Sequence, residues 1–126
     1  MSQYGEIFTD DLLLTIFPEE RADAFFEALF GDAQEGSYDI ALAYVGDGDS
    51  CLNFEMRLLQ RPGKCLACNL TYGLPEVFAR HPIINVQGVA DAVANAVGKK
   101  TAVWKFGATR ELSRELHVIP LNIRPE

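Results

Sequence analysis

Between residues 22 and 58 the spacing of apolar side chains changes from the period of a helix to the period of a strand, and no other feature restricts the fold as much. Ala22, Phe25, Phe26, Leu29 and Phe30 fall on one helical face. From Tyr38 to Val45 the period becomes two. At Leu52, Phe54, Met56 and Leu58, apolar residues alternate with Asn53, Glu55 and Arg57. A chain carrying both patterns needs a sheet with one dry face and helices to cover it.

The rest of the chain extends this scheme. Thr9 is placed to cap a short helix over residues 10–16, with Asp10 and Asp11 in the turn where carboxylates oppose the helix dipole. Pro18 fits the first position of the next helix, which Gly31 terminates. Gly46-Asp47-Gly48-Asp49 joins two strands as a hairpin. As a calcium loop it fails, because the third ligand position is Cys51 and the terminal Glu is missing. Pro75 opens a short helix over residues 76–80. His81-Pro82-Ile83-Ile84 is expected to be extended, since a residue before proline avoids the helical region. Asn85 caps a long helix with Val86, Val89, Ala90, Val93 and Val97 on its buried stripe and Gly98 at its end. Residues 101–106 and 116–123 read as strands, with Pro120 implying an edge position or a bulge. Residues 109–115 form a charged connector with room for a helical turn. The expected architecture is a two-layer α+β domain spanning residues 1–126, an antiparallel sheet of about four strands with helices on one face.

The chain has 126 residues and is 48% apolar, a size that suits one core. It contains no run of roughly 18 apolar residues that would cross a membrane and no basic leader, so a cytosolic location is expected. Three cysteines suit reduced thiols or a metal site better than a secreted disulfide framework. The net charge of −7 argues against nucleic acid as a partner. Its distribution is uneven. Residues 1–50 hold twelve acids and one base, Arg21, whereas residues 51–126 hold six acids and ten bases. The two halves either pack as complementary surfaces or leave the basic half facing an anionic ligand. A homodimer using that asymmetry is a third expectation, testable by its loss at high salt.

Chemistry concentrates in Cys65-Leu66-Ala67-Cys68, followed after twelve residues by His81. Two thiols on one tight loop supply half of a tetrahedral zinc site, and the interval to His81 matches a finger-type ligand set. The remaining histidine, His117, lies 36 positions further on. It has the strand parity of Ile119 and Leu121, so a site of Cys65, Cys68, His81 and His117 requires tertiary folding. It would be structural, with no open coordination position. The alternative is a dithiol redox protein or sensor, with Arg61 and Lys64 favouring the Cys65 thiolate. The sequence context is unlike a thioredoxin, in which the motif opens a helix directly after a central strand. Inert packing of both thiols is the third possibility. Cys51, with the parity of Asn53 and Glu55, belongs near the hairpin tip on the face opposite Phe54, away from the other two.

Other catalytic patterns are missing. Ser113, His117 and Glu111 have no nucleophile-elbow context, and no phosphate-binding glycine loop occurs. A binding role fits better, with Tyr72, Phe78 and Trp104 near the thiol loop and Lys64 and Arg80 as the groups to contact a small anionic ligand. A protein partner is the other expectation. The stretch Arg61-Pro62-Gly63-Lys64-Cys65, Leu74-Pro75-Glu76-Val77-Phe78 and His81-Pro82 resembles a small bacterial protein family of unknown function. That resemblance implies no activity, cofactor or catalytic residue.

Overall fold

The computed structural model describes residues 4–31, 38–48, 51–64 and 73–125. Among these, the element order is α1 (Tyr4–Ile7), α2 (Asp10–Ile16), α3 (Glu20–Phe30), β1 (Tyr38–Gly48), β2 (Cys51–Gln60), α4 (Leu74–Arg80), α5 (Val86–Ala96), β3 (Ala102–Phe106), β4 (Arg110–Glu111) and β5 (Leu116–Pro125). The strands make one antiparallel sheet in the order β1-β2-β5-β3, with β4 also paired to β5. The fold is α+β, with helices packed on the sheet.

Local signals account for most of the helix ends. The Leu12 N–H donates to Thr9 Oγ1 at 3.3 Å, fixing the start of α2. Gly31 closes α3 at φ 80°, a conformation that costs glycine little. Asn85 sits in the left-handed region at φ 48°, and its Oδ1 accepts from the Gly88 N–H at 3.2 Å. Pro18 lies in the turn before α3, where its carbonyl accepts from Arg21, so it does not occupy the first helical position.

The core forms where the inward residues of the two central strands meet the helices. Leu52, Phe54, Met56 and Leu58 oppose Ile123, Leu121, Ile119 and His117 across β2 and β5, and all eight are buried. Phe25, Phe26, Phe78, Val89, Ala90 and Val93 cover them from α3, α4 and α5. Trp104 ties the far edge down: its Nε1–H donates to Gln87 of α5 at 2.9 Å.

Two local expectations are corrected, and a third is resolved between its alternatives. Residues 82–84 form a turn in place of an extended segment, closed by the Asn85 N–H donating to the His81 carbonyl at 3.0 Å. The 109–115 connector is not helical: Arg110 and Glu111 pair with Val118 and His117 as β4. Pro120 does not mark an edge, because β5 is central. From the Phe106–Leu121 pair to the Arg110–Val118 pair, the outer chain advances four residues against three on β5. This is a bulge. The Gly107 N–H donates to the Pro120 carbonyl at 2.8 Å, and in an antiparallel strand the missing proline N–H points the same way, into the bulge. A second irregularity between Tyr44 and Gly46 leaves Val45 exposed, and β1 runs on to Gly48, into the residues expected to form the turn.

Candidate functional site

Cys65, Cys68 and Tyr72 lie outside the described residues, but both flanks of the thiol loop are defined. On the upstream side, the Lys64 N–H donates to the Arg61 carbonyl at 3.0 Å, with Gly63 at φ 75°. The Arg61 guanidinium bridges Asp23 of α3 at 2.6 Å and Asp39 of β1 at 3.0 Å, and lies 5.4 Å from the Phe26 ring centroid. It anchors the start of the loop to both layers. Its charge is therefore shared with two carboxylates and is a poorer source of thiolate stabilisation than the sequence suggests.

On the downstream side, His81 ends α4, donating its N–H to the Val77 carbonyl at 2.9 Å. Its ring stands edge-on to Phe25 with centroids 4.9 Å apart, and Nδ1 accepts from the Ile83 N–H at 3.2 Å. That hydrogen bond fixes the ring and, with Nδ1 accepting, leaves the proton of the neutral imidazole on Nε2, so a metal at Nε2 would require the other tautomer and loss of this bond. His117 is positioned differently. It is 1% exposed, opposes Leu58 on β2 and Glu111 on β4, and its Nε2 lies 3.8 Å from Glu111 Oε1. Among the described residues, no group of three or more His, Cys, Asp or Glu side chains is arranged to hold a metal ion. Lys64 and Arg80 are exposed, one in the turn after β2 and the other in the last turn of α4. Phe78 is fully buried and Trp104 partly buried, both as part of the core or packed on it.

A second region was not singled out in the sequence. The helices occupy one face of the sheet, and the opposite face is open among the described residues. The register sets out its rows. Arg124 lies between the Cys51 end of β2 and Val103 of β3, Asn122 lies between Asn53 and Lys105, and Val118 lies between Arg57 and Arg110. Arg57, Lys105, Arg110 and Arg124 are exposed there. Glu55 bonds Arg57 at 2.8 Å, and the Asn122 amide donates to Asn53 Oδ1. At the upper end a cavity of about 280 Å³ is lined by Cys51, Val103, Trp104, Lys105, Asn122 and Arg124. Cys51 is a free, half-buried thiol on this face, opposite Phe54 as its parity requires.

The signal for this region was present as alternation. Arg57, Lys105 and Arg124 each sit at outward positions of their strands, but only the β2–β5–β3 register brings them onto one surface. No protein-family model, curated protein or solved structure matches this chain. No described helix is long and apolar enough to cross a membrane.

Proposed function

We propose that this protein is a binding module whose open sheet face takes an anionic ligand or the acidic surface of a protein partner. The observation that carries this reading is the convergence of Arg57, Lys105, Arg110 and Arg124, drawn from four strands, around a floor of Asn53, Asn122, Pro120 and Val118. Among the described residues, Glu55 brings an opposing charge into these rows, where it pairs with Arg57. Cations held on a rigid sheet beside a concave surface provide both attraction and position. Citrate and inorganic phosphate serve as probes. Amide resonances of β3 and β5 should shift on titration, and Lys105→Ala with Arg124→Ala should weaken the response about tenfold at low salt. Unchanged resonances on those strands would remove the proposal.

The thiol loop belongs to the same reading as a structural element. Cys65 and Cys68 would hold zinc with His81, whose position at the downstream flank of the loop supports that role, and metal binding at Nε2 would exchange the Ile83 hydrogen bond for the opposite tautomer. His117, buried against Glu111, is the weaker fourth ligand. Metal analysis of protein purified without chelator should give about one zinc per chain, lost in Cys65→Ser. Metal-free protein forming a reversible Cys65–Cys68 disulfide would favour the redox alternative instead.

A further inference from the structure

The other edge of the sheet carries a feature that the open face does not explain. β1 is a terminal strand with β2 as its partner, and its register is unbroken from Tyr38 to Tyr44. Among the described residues, Asp39–Ala43 have no backbone hydrogen bonds except those of the β1–β2 ladder. An edge of this kind presents unpaired N–H and C=O groups to any strand that reaches it.

Two grooves run along this edge and share Ala41 and Leu59. One, of about 500 Å³, is walled by Leu13, Leu14 and Phe17 of the α2 region. The other, of about 360 Å³, is lined by Glu19, Glu20, Asp23 and Asp39, the two aspartates being paired with Arg61. Asp10 adds a carboxylate to the first groove. Arg57, the cation that lines it, is paired with Glu55. The path is thus apolar in the middle, with Leu14 46% and Leu59 41% exposed, and acidic toward its ends.

We infer that the β1 edge is a docking site for an extended, lysine- or arginine-bearing segment of a partner protein, which adds as a further strand. Backbone pairing to β1 supplies a generic contact. The apolar walls accept small branched side chains from the middle of the segment, and Asp10 at one end with Glu19 and Glu20 at the other select basic residues. An acidic segment would meet like charge along the same path and be rejected.

A labelled nonapeptide with two lysines at each end and alternating valine and threonine between them tests this on the full chain. It should bind, and the same peptide with glutamate in place of lysine should not. Leu14→Arg, a change at an exposed position, should weaken binding about tenfold or more. Glu19→Gln with Glu20→Gln should weaken it about fivefold at low salt and reduce its salt dependence. Amide hydrogen exchange should slow at residues 39–43 when the lysine peptide is bound. Binding without that protection, or equal binding of the glutamate peptide, would overturn the inference. So would self-association abolished by Leu14→Arg in a chain that ignores the peptide, since the edge would then belong to a second copy. Lys105→Ala and Arg124→Ala should leave peptide binding unchanged, which separates this site from the open face.

Discussion

The two faces of the sheet are made by the same strands and carry opposite chemistry. On β2 and β5, Met56 and Ile119 lie in the core, while their neighbours Arg57 and Val118 lie on the open side. Strand geometry sends successive side chains to opposite faces, so one residue of displacement separates a packed interior from a charged surface. Stability therefore resides in one set of positions, while the other set is left to meet its surroundings, with little overlap. Val118 is the exception. It is 1% exposed on the open face, flanked in register by Arg57 and Arg110.

Substitutions at adjacent positions can break or sharpen this contrast. The largest loss is expected for Met56→Ala, which leaves a cavity under α3 and α5 and should cost about 2–5 kcal/mol in urea unfolding. A cost below that of any open-face change would mean that the helices do not cover this position. Val118→Ala should cost about 1.5–2 kcal/mol, because its side chain is as dry as a core residue despite its face. If the open face is merely solvated, the cost should fall to a few tenths.

The smallest effect concerns pH. Tyr38 is 3% exposed beneath Phe26, with ring centroids 4.8 Å apart, and desolvation raises its pKa far above the usual value for a phenol. In the unfolded chain the phenol ionises near pH 10, whereas in the folded chain it stays protonated well beyond that. The folded state therefore binds the extra proton above pH 10, and stability falls as pH rises from there toward the folded pKa. At pH 11 the loss from this group should be roughly 1 kcal/mol, and Tyr38→Phe should remove that part of the alkaline decline. An unchanged alkaline slope in the variant would place the phenol in contact with solvent.

Much of the architecture was legible because its signals are local. Thr9, Gly31 and Asn85 mark helix ends through groups within a few residues, and the alternation of β2 named its core side directly. The misreadings share a cause. Arg110-Glu111 has no strand signature of its own and becomes β4 only by pairing with β5. Pro120 left an edge and a bulge both open, and the extra residue that decides for the bulge lies on the neighbouring strand. The turn at 82–84 depends on a hydrogen bond from Asn85 back to His81. As for the candidate site, the cysteine spacing and the basic half were visible in the sequence. The sharing of Arg61 between Asp23 and Asp39 was not, because those three residues are brought together from three elements.

The sequence by itself determined which residues turn inward, since burial of apolar side chains at helical and strand periods is a property of neighbouring positions. It also determined the uneven charge of the two halves. Tertiary structure alone decided where those charges meet solvent. Inserting β5 between β2 and β3 gathers Arg57, Lys105, Arg110 and Arg124 on one face, and among the described residues β1 is the terminal strand beyond β2. Strand order is set by packing between distant segments, and no local period encodes it.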